Sequence, residues 1–337
     1  MLFHTIYLLC LTLMFDTSTE ASKKAQGIWL PGCRPQGNLD RSGTVGLPPP
    51  AKDQAYCTVS VLEAGYVDVP MAQIVDTAKE DEIARLPCLA FLLRHSTDGD
   101  TFVFDLGTRR DWEEALPPAM VKAVKRWYHV EVPQDAIESL QKGGYDPSQI
   151  SHVCLSHVHF DHQGDTRPFT NATFIAGEES RALLSPGYPA DPNGMFLGSL
   201  LPPERTRYVP RAEMRAVGPF PHALDFYGDG SLYVVDTPGH LPGHLAVLAR
   251  TSADGGWVFL AGDAAHDWRL ITGEARIADT PHFGCSHRDK KTAAETIARI
   301  RALSEMPRVR VLIAHDVPWY EENKDGAAFL PGSIESL

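Results

Sequence analysis

Three histidines and an aspartate fall within six residues at His157-Val158-His159-Phe160-Asp161-His162, directly after the apolar run at residues 150–156. Alternate side chains of an extended backbone point to the same side, so His157 and His159 can grip one ion. Asp161 and His162, on the turn that follows, can face a second. Imidazole and carboxylate donors together suit zinc best, with iron, manganese or cobalt as substitutes. Two ions need ligands from more than one segment, and further candidates follow other apolar runs at Thr237-Pro238-Gly239-His240, Gly262-Asp263 and Ala314-His315-Asp316. Each alone is more simply a hydrogen-bonded structural group. Combined with the first motif, they read as one metal centre at the tips of neighbouring strands, where a rigid scaffold holds groups that stay open to solvent.

The elements that must carry these residues are legible from their periodicity. Strands are predicted at residues 58–63, 89–95 and 101–105, the last two joined by the turn signal Ser96-Thr97-Asp98-Gly99-Asp100 as a hairpin. Helices are predicted over 113–126 and 134–143, and a buried strand over 150–156. Residues 185–221 are crowded with Pro and Gly and predict a long irregular loop. Strands follow at 232–236, 245–250 and 257–261, then a helix over 290–305 and a last strand at 309–313. Strands gathered in two sets with interspersed helices predict an α/β fold of two sheets with helices on their outer faces.

Taken together, these motifs resemble the metallo-β-lactamase superfamily over residues 55–320. The features are Asp105 in Phe104-Asp105-Leu106-Gly107, the HxHxDH stretch, TPGH with a second histidine in Pro242-Gly243-His244, the Gly-Asp pair and the last histidine. The resemblance implies an αβ/βα sandwich of two mixed sheets, with two zinc ions per chain. His157, His159 and His240 would hold the first, Asp161, His162 and His315 the second, and Asp263 would bridge them. His244 and Asp105 would orient the ligands from behind.

Such a pair lowers the pKa of a shared water and polarises a carbonyl, so the expected reaction is hydrolysis by a metal-bridging hydroxide. Asp161, Asp263 and His266 are its expected catalytic residues. In the family, enzymes that open β-lactam drugs typically carry Cys or Ser at the bridging position, and glyoxalase II enzymes add a glutathione-binding helical extension. Asp263 and the short tail after His315 look most similar to the acyl-homoserine lactonase branch, which implies a lactone or other small carboxylic ester as substrate. One position departs from that branch: His266 stands where those lactonases often carry Tyr. A similar histidine occurs in organophosphate-hydrolysing relatives. Thioesterase, lactamase and phosphotriesterase variants stay open, as do a mononuclear iron persulfide dioxygenase and a non-catalytic metal-binding protein. Tyr188, Phe196, Phe220, Trp268, Phe283 and Tyr320 are candidates for an apolar wall, ordinary loop packing being the alternative for each.

The chain has 337 residues, 43% hydrophobic and 22% charged, and a formal net charge of −12. These values describe a globular protein with ample core. The acidic balance argues against nucleic acid as a partner, since phosphates are neutralised by Lys and Arg. Residues 1–21 read as a secretory signal, the apolar run at 6–15 being too short for a stable membrane anchor; a buried start to the first element in a cytoplasmic protein is the alternative. Residues 22–54 are rich in Gly and Pro and predict an extended arm, and 55–337 the catalytic domain. None of the six cysteines forms a CxxC pair. Cys88 and Cys154 read as buried hydrophobes and Cys33 with Cys57 as a candidate staple. The sequon Asn171-Ala172-Thr173 matters only in the secretory pathway. The oligomeric state is not encoded in any of these features.

Overall fold

The computed structural model of the chain describes residues 46–337. The signal-like segment, most of the expected arm and Cys33 lie outside them. Within them, the carbonyls of Pro48 and Pro49 accept hydrogen bonds from the buried Arg250 guanidinium, so the end of the arm is docked on the domain.

Strand β1 (Cys57–Pro70) pairs antiparallel with β2 (Ile83–His95), which turns back as β3 (Thr101–Phe104), so the predicted hairpin is present. The helix predicted over 113–126 is two helices, α1 (Trp112–Ala115) and α2 (Pro118–Trp127). Pro117 and Pro118 cause the break. Proline lacks the N–H of the helical bond and drives the residue before it to extended backbone, and Leu116 has φ −83° and ψ 159°. β4 (His129–Glu131) precedes α3 (Ala136–Lys142), whose start is held by reciprocal bonds between Asp135 and Glu138. β5 (His152–Cys154), β6 (Thr173–Gly177) and α4 (Arg181–Leu184) follow. The irregular stretch predicted for 185–221 is shorter than expected, because its second half folds into β7 (Thr206–Val209), β8 (Arg215–Val217) and the start of β9 (Phe220–Asp225). Strands this short show no readable period. The chain continues through β10 (Leu232–Asp236), β11 (Leu245–Arg250), β12 (Trp257–Leu260), α5 (Trp268–Thr272), α6 (Lys290–Ser304), β13 (Val309–Leu312) and α7 (Val317–Asn323).

The strands form two mixed sheets, ordered β4-β1-β2-β3-β5-β6-β7 and β13-β12-β11-β10-β9-β8. Val59, Phe91, Phe102 and Phe104 of the first face Val234, Val247, Val258 and Leu312 of the second across a shared apolar layer. The outer face of the first sheet packs on Ala136 and Leu140 of α3. The outer face of the second packs on Ala293, Ile297, Ile300 and Leu303 of α6. Central strands are thus covered on both sides, which is why 232–236 and 245–250 read as continuous apolar runs. The αβ/βα sandwich is the observed architecture. Among the described residues, no helix is long and apolar enough to cross a membrane.

Register then decides where chemistry can gather. β3 and β5 run parallel with Phe104 opposite Cys154, so Asp105 and the His157 loop leave on one edge. β12 and β13 run parallel with Leu260 opposite Leu312, so Asp263 and His315 leave together. The Leu245 amide donates to the Ser156 carbonyl at 2.8 Å and the Leu89 amide to the Ala314 carbonyl at 3.0 Å, joining the sheets at that edge.

Candidate metal centre

Three ring nitrogens meet at the first position. Nε2 of His157 lies 2.9 Å from Nδ1 of His159 and 3.2 Å from Nε2 of His240, and the latter two are 2.9 Å apart. Neutral imidazoles carry one proton each and cannot satisfy such a triangle among themselves. A tetrahedral zinc with bonds of about 2.0–2.1 Å would separate its ligand atoms by about 3.4 Å, close to this spacing. At the second position, Nε2 of His162 and Nε2 of His315 each lie 3.2 Å from Oδ1 of Asp263, and Oδ2 of Asp161 is 3.7 Å from His315. The other Asp263 oxygen, Oδ2, lies 3.7 Å from His157 and 3.5 Å from His240. One carboxylate therefore turns an oxygen to each group. Nε2 of His162 and Oδ1 of Asp263 are buried without a conventional hydrogen-bond partner. Buried nitrogens and oxygens of this kind fit a pair of cations, and the donor set is that of zinc.

Several of the rings are held from behind. Nδ1 of His162 donates to Oδ2 of Asp105 at 2.8 Å, while Oδ1 of Asp105 accepts the Ser156 amide at 2.6 Å. Asp105 sits at φ +60°, a left-handed conformation that an aspartate tolerates and that lets one side chain serve both partners. His315 donates from Nδ1 to the Pro87 carbonyl at 2.8 Å, which leaves Nε2 to face Asp263. His244 accepts the Asp263 amide at 3.1 Å on Nε2 and pairs through Nδ1 with the Thr237 hydroxyl at 2.8 Å. Gly262 before Asp263 has φ +53°, and a Cβ there would lie 2.9 Å from the Ser156 Cβ and 3.0 Å from His244 Nε2. Only glycine lets this strand end pass so close.

Burial sets the electrostatics, and neighbouring charge then divides the histidines. His157 and His240 are pushed well below the usual imidazole range by burial and by adjacent imidazoles, and burial takes His159 down to about 4. Burial also works against the charged forms of His162 and His315, but the Asp263 carboxylate outweighs it, aided at His162 by Asp105, and both lie well above that range. Burial alone would raise Asp263; His162, His266 and His315 overcome it and hold its carboxyl far below the usual value. The field that draws protons onto His162 and His315 equally favours a cation between them.

The edge brings together all seven expected ligands and His266, whose Nε2 is 3.1 Å from Oδ2 of Asp263. His287 was not a sequence-level candidate. It is 2% exposed, its ring centroid lies 4.9 Å from His266 and 5.2 Å from His240, and its signal in the sequence was only another histidine. The apolar-wall set divides. Phe196 lies parallel to the His159 ring at 6.3 Å, Tyr188 pairs with Phe196 through its backbone amide, and Phe283 meets Trp127 edge-on. Trp268 opens α5 and is partly buried. Phe220 and Tyr320 belong to the core: Phe220 stacks on Phe259, and the Tyr320 hydroxyl donates to Glu63.

The model of the metallo-beta-lactamase superfamily matches residues 83–315. Metallo-hydrolase mfmC of Annulohypoxylon moriforme is 32% identical over 317 residues, covering 81% of this chain and 83% of that one. Gamma-lactamase FDB1 of Fusarium pseudograminearum is 34% identical over 66% of this chain, which spans 57% of that protein's length. Among solved structures, an N-acyl homoserine lactone hydrolase with N-hexanoyl-L-homoserine at its catalytic metal centre superposes with a TM-score of 0.62 at 18% identity, covering 82% of this chain and 98% of its own. The dizinc quorum-quenching lactonase AidC does so with a TM-score of 0.53 at 14% identity, covering 80% and 90%. These likenesses and the two-sheet fold agree, and the chain is a metal-dependent hydrolase that belongs to the metallo-beta-lactamase superfamily.

Proposed function

We propose that this hydrolase uses a pair of zinc ions to open a lactone or another small carboxylic ester. The observation that carries this reading is the Asp263 carboxylate, with Oδ1 turned to His162 and His315 and Oδ2 to His157 and His240. His157, His159 and His240 would hold one ion, Asp161, His162 and His315 the other, and Asp263 both. When bound, the pair supplies an acidified water and a Lewis acid for the carbonyl. Asp263 offsets charge and fixes the spacing, and Asp105 and the Pro87 carbonyl hold His162 and His315 in the tautomer that leaves Nε2 free. His266, from its place beside Asp263, gives a proton to the departing oxygen. Phe196 offers an apolar face over His159.

The lactonases among the structural neighbours support the lactone reading. The gamma-lactamase relatives support a second one, a cyclic amide, and the two differ only in the heteroatom that leaves. An iron persulfide dioxygenase is disfavoured by the second ligand set. The apolar run at residues 6–15 supports entry into the secretory pathway ahead of a catalytic domain that starts near residue 55.

The test is a panel of lactones, thioesters, γ-lactams, β-lactams and phosphotriesters, run with zinc-loaded protein alongside metal analysis. Lactones or small esters should turn over fastest in protein that carries about two tightly held zinc per chain, and chelation should abolish turnover while secondary structure persists. Full activity in thoroughly metal-depleted protein would overturn the reading, and turnover of γ-lactams alone would establish the second.

A further inference from the structure

We propose that His266 and His287, with His240 beside them, form a third metal position that is weaker than the expected pair and fills last. The observation is a set of buried imidazole nitrogens that the pair does not use. His240 and His266 both direct Nε2 toward Oδ2 of Asp263, at 3.5 and 3.1 Å. Their Nδ1 atoms, and both ring nitrogens of His287, are buried with no hydrogen-bond partner. One ligand atom from each of the three rings falls within 4.8 Å of the others.

The loop carrying His287 is tied to the loop carrying His240, since the Arg288 amide donates to the His240 carbonyl at 2.9 Å and the Asp289 amide to the Gly239 carbonyl at 2.8 Å. The His240 and His287 rings are therefore carried on two loops tied to each other, with His266 packed against both rings. Buried polar groups without partners are uncommon in native proteins, and several within one cluster point to a small guest. An all-imidazole set suits zinc, copper or nickel rather than magnesium or calcium.

Affinity follows from tautomers. His266 and His287 can each present a lone pair to such an ion, whereas His240, with Nε2 given to the first position, keeps its proton on Nδ1 and joins only by losing it. The third position then rests mainly on two rings, so it binds more weakly than positions with three or four ligands. An ion there also occupies His266, so excess zinc should inhibit turnover. That consequence rests on the hydrolase reading; the binding itself does not.

The test uses the full chain equilibrated with excess zinc, desalted, and analysed for metal during stepwise removal by a weak chelator. The wild type should hold about three zinc per chain with one lost first, and His287→Ala and His287→Gln about two. A wild-type plateau at about two, or about three in both variants, would overturn the proposal, and the wild-type count decides even where a variant fails to fold. A plateau of about one, unchanged in Asp263→Asn but lost in His287→Ala, would keep this position and overturn the pair instead.

Discussion

Nδ1 of His162 lies 2.8 Å from Oδ2 of Asp105, and both side chains are 1% exposed. The carboxylate accepts the Nδ1 proton, which leaves Nε2 directed at the second candidate metal position. Asp105→Asn tests this relationship, because an amide nitrogen turned to His162 donates where the carboxylate accepts and drives the ring proton to Nε2. Zinc affinity should fall about 10- to 100-fold, measured by competition with a chromogenic chelator, with the far-ultraviolet circular dichroism unchanged. Unaltered affinity would show that Asp105 does not set the tautomer.

Asp263→Asn removes the charge shared by the two ligand groups. The scaffold has its own core between and outside the sheets, so folding should survive. A neutral amide neither offsets two dications nor offers both oxygens, so bound zinc and turnover should fall together, turnover by orders of magnitude. Normal zinc content with normal rates would remove Asp263 from the bridging place.

How much of this was legible in the sequence varies with how local each signal is. The expected ligands His157, His159, Asp161 and His162 are neighbours in the chain, and His240, Asp263 and His315 each follow an apolar run that folds as a buried strand, so strand ends alone put them on one edge. His287 follows no strand and reaches the edge only because its loop pairs with Gly239 and His240, a tertiary contact that no spacing reports. β6 was missed because a five-residue strand covered on both faces shows no alternation. The helix predicted through Pro117 and Pro118 was an error of pattern over chemistry, since apolar spacing carried across two residues that cannot continue a helix. Phe220 and Tyr320 were drawn toward the site by proximity in sequence, whereas the side-chain period of β9 and the turn of α7 point them into the core.

Away from the metal centre, His95 joins the two sheets. Its Nδ1 lies 2.8 Å from Asp98 and its Nε2 2.9 Å from Asp229, and its ring stacks on Tyr227 at 4.4 Å. Burial disfavours the imidazolium, yet the two carboxylates outweigh it and hold the pKa above the usual histidine value, while both carboxylates lie below theirs. The folded state therefore binds this proton more tightly than the unfolded chain does. Stability from His95 is fully present below about pH 6.5, the unfolded value, and is lost as pH rises through the higher folded one. The carboxylates contribute in the opposite direction, losing their share as pH falls through their lowered values. Zinc-loaded wild type should lose stability relative to His95→Gln as pH rises from slightly acid to alkaline, read from denaturant midpoints. A difference that is flat in pH would mean that the ring is neutral throughout.

His266 has its Nε2 3.1 Å from Oδ2 of Asp263 and is 6% exposed, so it stands buried beside that carboxylate rather than on the rim. When hydroxide has added to an ester carbonyl, the C–O bond breaks and the departing oxygen must be protonated or otherwise stabilised. An alkyl alkoxide is a poor leaving group, and a proton donor at that oxygen contributes about 10²- to 10⁴-fold. A thiolate or a nitrophenolate departs without that help. His266→Ala should then slow unactivated alkyl lactones far more than thioesters or nitrophenyl esters, in kcat rather than KM, because the interaction forms only as the bond breaks. If His266 instead serves to hold Asp263 in place, all three substrates should lose activity equally and zinc content should drop with them. Measuring the three rates and the metal content on one preparation separates the two roles, and an equal loss would overturn the assignment of His266 as the proton donor.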